Sequence, residues 1–157
     1  MTLDPPTAWS PIAIGRVASP VTAQTDAGWG QVTARVVLEP AYRAGLRGLA
    51  DFSHVIVVTL LHEAAFDPAR HLVRRPRGLA TMPEVGIFAQ RAKDRPNPLG
   101  ITVVPLLEVT ADGLVVRGLD AIDGTPVLDV KPYYPQYDRV AAPRVPEWVD
   151  RLMQDYF

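Results

Sequence analysis

Apolar and polar residues alternate along this chain in short runs that Gly, Pro and Asp interrupt at close intervals. Eight of these runs are rich in Val and Ile, which favour strands, and turn residues bound each one. They are Ile12–Val17, Val32–Leu38, His54–Leu61, Leu72–Arg75, Val85–Gln90, Leu99–Val109, Leu114–Leu119 and Val127–Val130. Asp112-Gly113 separates two of them and is a strong hairpin signal. The pattern predicts a mainly β protein.

Helical periodicity is confined to two segments. A turn or so is predicted within Tyr42–Leu49, and Pro146–Phe157 places Trp148, Leu152 and Tyr156 four residues apart behind a proline. Sixteen prolines and eleven glycines suit many turns and little helix. We therefore expect a compact antiparallel β barrel, or a strongly bent sheet, on which a short C-terminal helix packs.

Length and composition limit the class of protein. The 157 residues, 48% of them hydrophobic, suit one domain over 1–157, with a core at about 12–138 and the helix at about 146–157. The sequence has no cysteine and only three histidines, which excludes thiolate chemistry and makes a metal site unexpected. No signal peptide is recognisable, and the longest apolar run, Val55–Leu61, is too short to span a bilayer. We expect a cytoplasmic protein with no membrane partner.

Charge is distributed unevenly along the chain. The net charge is −1, yet residues 70–95 hold seven cations against two carboxylates, an excess of five. Such a segment could contact phosphate, although a solvated surface with scattered cations is the simpler interpretation of the charge alone. The seven cations are Arg70, Arg74, Arg75, Arg77, Arg91, Lys93 and Arg95.

Two dense segments carry most of the candidate chemistry. In residues 86–100, two prolines hold Arg95 and Asn97 extended, which presents a cation and an amide at little entropic cost. In residues 118–133, Asp129 and Lys131 lie two apart on one strand face, where they are either functional or an ion pair that fixes the strand. Both segments predict a polar site on a β scaffold.

Four sequence blocks occur in an order that resembles the TsaA-like family. The blocks are Phe52-Ser53-His54, Gly86-Ile87-Phe88-Ala89, Arg95-Pro96-Asn97-Pro98-Leu99-Gly100 and Asp123-Gly124-Thr125-Pro126-Val127-Leu128-Asp129-Val130-Lys131-Pro132-Tyr133. The resemblance runs from about Ile12 to Asp138. It implies a β-barrel methyltransferase that uses S-adenosylmethionine to N6-methylate threonylcarbamoyladenosine in tRNA, and a homodimer with the methyl donor near the subunit interface.

The resemblance also implies roles for individual residues. The residues implied to bind the donor are Gly28, His62, Glu63, Arg91, Ile101, Arg117, Gly118, Leu119 and Asp120. The candidate catalytic residues are Arg95, Asn97, Asp129 and Lys131. The chain departs from the family at Ala89-Gln90-Arg91-Ala92, where Ala-Thr-Arg-Ser is common, and at Lys93-Asp94, where an apolar or aromatic pair is usual.

These residue types suit the donor, and two other functions stay open. A pocket for S-adenosylmethionine needs carboxylates, a cation, an apolar wall and backbone partners, all of which this set contains. Methyl transfer depends chiefly on positioning and desolvation, and a general base is needed only if the acceptor must lose a proton. One alternative is a methyltransferase with a small-molecule acceptor, and the other is a non-catalytic S-adenosylmethionine-binding module.

Overall fold

A closed six-stranded barrel forms the centre of the molecule, as a computed structural model that describes residues 10–157 shows. Its strands are β1 (Gly15–Ala18), β2 (Thr33–Leu38), β3 (His54–Leu60), β6 (Leu99–Thr110), β7 (Gly113–Arg117) and β8 (Pro126–Pro132). Their order around the barrel is β1-β2-β7-β6-β3-β8, and β8 closes on β1. All neighbouring strands are antiparallel. The prediction of a mainly β, antiparallel barrel is therefore confirmed.

The remaining elements are short. β4 (Val73–Arg74) and β5 (Val85–Gly86) form a separate two-stranded ribbon. The α-helices are α1 (Pro68–His71), α2 (Pro135–Asp138) and α3 (Glu147–Met153), and five 3-10 turns cover Trp29–Gln31, Pro40–Leu46, Leu49–Asp51, Pro76–Gly78 and Ile87–Ala89. No helix of the described residues is long and apolar enough to cross a membrane.

Alternation of side chains along each strand builds the core. Inward positions are mostly valine, and Val36, Val55, Val57, Val116 and Val127 are completely buried. Stiff β-branched side chains fill a small barrel with little loss of rotamer freedom, which explains why the Val-rich runs became strands.

The predicted hairpin joins β6 to β7. The strands pair Thr110 with Gly113, so the connecting loop consists of Ala111 and Asp112. The Asp112 carboxylate accepts hydrogen bonds from the Thr110 hydroxyl at 2.8 Å and from Arg35 at 2.9 Å. Gly113 leaves room for β2, because a Cβ there would lie 1.8 Å from the Val36 carbonyl oxygen.

The C-terminal helix is shorter than the sequence pattern predicted. α3 ends at Met153 because Gln154 leaves helical geometry and Asp155 adopts a left-handed φ of 67°. The chain then turns back to the barrel, where the carbonyls of Asp155 and Tyr156 each accept a backbone hydrogen bond at 2.8 Å.

The segment predicted as a turn of helix at Tyr42–Leu49 is 3-10 helix in most of its length.

Candidate functional site

A cleft of about 1190 Å³ lies at the barrel end where β3 finishes and β6 begins. Its walls come from the turn after β3, from the loop that ends at Trp29 and from the C-terminal residues 152–157. Residues within 88–103 and 120–125 complete the lining. The cleft is mixed in chemistry, since carboxylates, cations and amides alternate with apolar side chains along its walls.

Seven of the residues selected from the sequence line this cleft. They are His62, Glu63, Arg91, Arg95, Asn97, Ile101 and Asp120. Arg117, Gly118 and Leu119 lead into Asp120 without lining the cleft, and the Leu119 side chain is buried in the core. Gly28, which has a φ of 77°, is also outside the lining, although its neighbour Trp29 is part of it.

The other two selected residues lie elsewhere on the barrel. Asp129 and Lys131 are on the outer side of β8, and their charged groups are 2.7 Å apart. The hydrogen bond that Lys131 donates to Asp129, followed by the negative charge of Asp129, raises the pKa of Lys131. Neither residue lines the cleft of its own chain. The geometry thus separates the Asp129–Lys131 pair from Arg95 and Asn97.

The Asp120 carboxylate is fixed at both oxygens. Oδ1 accepts a short hydrogen bond from the Thr102 hydroxyl on β6, and Oδ2 accepts one from the Tyr156 hydroxyl at 2.8 Å. The guanidinium of Arg77 lies 5.5 Å from the centre of the Tyr156 ring. Burial, followed by the charge and hydrogen bond of Asp120, raises the pKa of Tyr156. The hydroxyl therefore stays protonated and can donate to Asp120.

Arginine side chains stiffen the loop between β5 and β6. The Arg95 guanidinium donates to the Gln90 carbonyl at 3.0 Å and to the Ala92 carbonyl at 3.4 Å, so it closes the loop on itself. Arg91 donates to the carbonyl of Ile101 and ties the same loop to β6. Arg95 thus has a structural role in this loop in addition to its position at the cleft.

Gln90 leaves a buried acceptor without a partner. Its Nε2 donates to the carbonyls of Arg74 at 3.0 Å and Val85 at 2.9 Å, which fixes the orientation of the amide because both partners are acceptors. The residue is 7% exposed, and its Oε1 has no hydrogen-bond partner among the described residues. Because Gln90 lines the cleft, this oxygen is suited to a donor group on a ligand.

Asp94 holds the cleft loop against its surroundings. The carboxylate accepts from the Ala65 backbone N–H at 3.0 Å and from the Lys93 ammonium at 2.8 Å, and Arg74 lies 3.7 Å away. Burial alone would raise the pKa of Asp94, but the hydrogen bonds and the two cations together lower it. The Lys93-Asp94 pair, where the chain departs from the family pattern, therefore serves to attach the loop to the turn after β3.

Most cations of the basic segment have partners within the protein. Arg74 pairs with Asp94, Arg75 donates to the Met82 carbonyl, and Arg77 lies 3.4 Å from Asp26. Lys93, Arg91 and Arg95 are engaged as described above. The excess of positive charge is consequently used in large part to hold loops, which weakens the case for a dedicated phosphate-binding surface in residues 70–95.

An apolar outer face adjoins the cleft. Cross-strand pairs on the outside of β3 and β6 are Ile56 with Val103, Val58 with Ile101 and Leu60 with Leu99. The Asp129–Lys131 pair borders this face, because Asp129 is opposite Val58 and Lys131 is opposite Ile56. We call these six apolar residues the β3–β6 face. Exposed apolar area of this kind usually marks an interface.

Several residues of the site were missed by sequence reasoning. Tyr156 was interpreted only as a helix residue that packs on the barrel, and Thr102 was not singled out. Their link to Asp120 joins positions 36 and 18 residues apart, and no local pattern reveals it. Gln90 was noted only as a departure from the family block, although a buried amide in a loop is a signal that could have been used.

Comparisons with known proteins agree with this architecture. Residues 19–139 match the family described as tRNA-methyltransferase O N-terminal domain. A relative in Pyrococcus abyssi, named "Probable S-adenosyl-L-methionine-binding protein", is 40% identical over 104 residues, which are 63% of this chain and 51% of the relative. The tRNA (adenine(37)-N6)-methyltransferase of Escherichia coli is 42% identical over 94 residues, which are 57% of this chain and 40% of that enzyme.

A solved structure with a similar fold supports the family match. The crystal structure of TrmO from P. aeruginosa superimposes with a TM-score of 0.73 and 31% identity, over 90% of this chain and 62% of that one. This chain spans 51% of the length of the Pyrococcus abyssi relative and 40% of the length of the Escherichia coli enzyme. The match over residues 19–139, together with the shared barrel, shows that this chain belongs to the tRNA-methyltransferase O N-terminal domain family.

Proposed function

We propose that the protein is an S-adenosylmethionine-dependent tRNA methyltransferase that transfers a methyl group to N6 of threonylcarbamoyladenosine. The observation that carries the proposal is the cleft, where five residues implied to contact the donor meet two candidate catalytic residues. The names of the family and of the Escherichia coli enzyme support tRNA as the acceptor and N6 of an adenine as the position. We propose the cytoplasm as its location because tRNA is the acceptor.

The residues of the cleft fit S-adenosylmethionine. Glu63 and Asp120 offer carboxylates for the ammonium group and the ribose hydroxyls, and Arg91 offers a cation for the carboxylate. Ile101 provides an apolar wall, and the unpartnered Gln90 Oε1 can accept a hydrogen bond from an amine or hydroxyl. When bound, S-adenosylmethionine supplies an electrophilic methyl group that an acceptor atom displaces in line.

The protein's own contribution is to position the donor and the acceptor. Hydrogen bonds hold Asp120 at both carboxylate oxygens, and Arg95 and Asp94 fix the loop between β5 and β6. Asn97 sits between two prolines at the edge of the cleft, where its amide can orient the acceptor base. A preorganised wall of this kind lowers the entropic part of the barrier.

We also propose that the protein works as a homodimer, formed through the β3–β6 face. The apolar side chains of this face continue into the cleft, since Leu99, Ile101 and Val103 line both. A second copy packed there would cover the open side of the cleft and bury the Asp129–Lys131 pair in the interface. This arrangement would give Asp129 and Lys131 a place beside the donor, which they lack in a single chain.

Donor binding is the first test of the proposal. Calorimetric titration of the purified protein with S-adenosylmethionine, with a chelator present, is expected to show saturable binding without metal. Absence of binding, or binding only after zinc is added, would contradict the proposal. Binding without methyl transfer to tRNA would favour the non-catalytic module that the name of the Pyrococcus abyssi relative suggests, and turnover on a small acceptor alone would favour the other alternative.

A further inference from the structure

The segment formed by residues 152–157 is part of the cleft and lies outside the residues that match the family. Leu152, Met153, Tyr156 and Phe157 all line the cleft, whereas the family match ends at residue 139. The family match therefore says nothing of this wall, and its role has to be read from its contacts.

The contacts of this segment with the barrel are specific. The N–H groups of Gly28 and Trp29 donate to the carbonyls of Asp155 and Tyr156, both at 2.8 Å. Gly30 lies directly against the backbone of Phe157, and a Cβ on Gly30 would be 2.5 Å from the Phe157 carbonyl carbon. Such a close approach requires glycine and fixes the position of the segment. The Tyr156 side chain is consequently held over the cleft in one place.

The Tyr156 hydroxyl reaches the carboxylate that is implied to contact the donor. It donates to Asp120 Oδ2 at 2.8 Å, while the Thr102 hydroxyl donates to Oδ1. The tyrosine ring packs beside Arg77, which is itself near Asp26. Two hydroxyl donors on opposite oxygens leave the Asp120 carboxylate with one orientation, and its remaining lone pairs are available to a ligand.

We propose that Tyr156 is a positioning residue of the donor site, which orients the Asp120 carboxylate toward the bound S-adenosylmethionine. This inference rests on the proposed function, because it assumes that Asp120 contacts the donor. Without the tyrosine hydroxyl, the carboxylate gains rotational freedom, and part of the entropy that was lost on folding must be lost on binding instead. Donor affinity should fall even though Tyr156 itself need not touch the donor.

The test is a double-mutant cycle on donor affinity. The variants are Tyr156→Phe, Asp120→Ala and the combination, and equilibrium dialysis with labelled S-adenosylmethionine measures dissociation constants up to the millimolar range. Tyr156→Phe keeps the ring beside Arg77 and removes only the hydroxyl. We expect it to weaken donor binding by about five- to tenfold, and by less than about twofold when Asp120 is already alanine, because alanine leaves no oxygen for the hydroxyl to orient. Tyr137→Phe is the matched control, since Tyr137 is 86% exposed and does not line the cleft.

Each outcome has a definite meaning. Unchanged donor affinity in Tyr156→Phe would overturn the positioning role, and tighter binding would overturn it too, because the hydroxyl would then compete with the donor for Asp120. Equal weakening in the presence and absence of the Asp120 carboxylate would show that Tyr156 acts only through the fold, and a parallel loss in melting temperature would accompany that result. If the unsubstituted protein binds no S-adenosylmethionine, the proposed function fails together with this inference.

Discussion

Replacement of Asp94 by asparagine isolates the charge that attaches the cleft loop to the barrel. Asparagine has nearly the same shape and its Oδ1 can still accept from the Ala65 N–H, but it cannot form ion pairs with Lys93 and Arg74. The Asp94 side chain is only 14% exposed, so its charge interacts with these partners through little solvent. The variant therefore measures how much this charge stabilises the fold.

The contacts allow the magnitude to be worked out. Conversion of a charge-assisted hydrogen bond to a neutral one costs about 1 kcal/mol. The Lys93 pair adds at most about 0.5 kcal/mol, because the lysine side chain is 38% exposed and solvent screens it. Arg74 at 3.7 Å adds less, and relief of the buried charge offsets part of the loss. We expect a net destabilisation of about 1–2 kcal/mol, which corresponds to a fall in Tm of about 3–6 °C for a chain of this length.

The lowered pKa of Asp94 determines how the stabilisation by its carboxylate depends on pH. The pKa of Asp94 is lower in the folded protein than in the unfolded chain, so the ionised carboxylate stabilises the fold above the usual carboxyl pKa of about 4. That stability is lost as the pH falls through the folded pKa. The difference in unfolding free energy between the wild type and Asp94→Asn should thus be constant at neutral pH and should shrink below about pH 4.

Urea unfolding from pH 3 to pH 8 is the assay, because guanidinium salts would screen the charges. Glu108→Gln is the control, since Glu108 is exposed on β6 and forms no ion pair within residues 10–157. A loss in Asp94→Asn that is equally large at pH 3 and pH 7 would refute the electrostatic explanation. If Asp94→Asn is as stable as the wild type at pH 7, the charge of Asp94 does not stabilise the fold.

Two further predictions concern the donor and the dimer. Arg91→Ala should weaken S-adenosylmethionine binding by about 1.5–3 kcal/mol in calorimetry, if Arg91 makes a charge-assisted contact with the donor, while Arg35→Ala, whose partner is Asp112, should leave it unchanged. Equal losses of donor affinity in Arg91→Ala and Arg35→Ala would show that Arg91 does not contact the donor. Val103→Glu places a charge on the β3–β6 face and should convert the dimer to a monomer in light scattering, whereas Val73→Glu should not, because Val73 is an exposed valine outside that face. A monomeric wild type, or a dimeric Val103→Glu variant, would contradict the proposed interface.

The strands could be predicted from the sequence because local chemistry determines them. Each Val-rich run is bounded by turn residues, and the Asp112-Gly113 pair marks the β6–β7 hairpin, although the loop residues are Ala111 and Asp112 and Gly113 is the first residue of β7. The order of strands around the barrel has no such local signal, since it depends on pairings between distant segments. The helical turns α1 and α2 were missed, although each begins with a proline and Asp67 caps the first by accepting from the Ala69 N–H at 3.0 Å.

The site was predictable only in part, for the same reason. Residues to which the family resemblance assigns a role, such as Arg91 and Asp120, do lie in one cleft. The groups that orient them come from outside the blocks: Tyr156 reaches Asp120 from a segment that leaves helical geometry after Met153. The regular spacing of Trp148, Leu152 and Tyr156 predicted one continuous helix. The backbone hydrogen bonds from Gly28 and Trp29 hold the last residues away from that helix, and the local sequence does not reveal them.

The central claim is that this protein methylates N6 of threonylcarbamoyladenosine in tRNA. Mass spectrometry of the nucleosides from total tRNA tests it most directly, in a strain that lacks the gene, in its parent, and in the deletion strain that carries either the wild-type gene or its Asp120→Ala variant. We predict that the N6-methylated nucleoside is present in the parent, absent in the deletion, restored by the wild-type gene and not restored by the variant. The same amount of methylated nucleoside in the deletion strain and its parent would contradict the account.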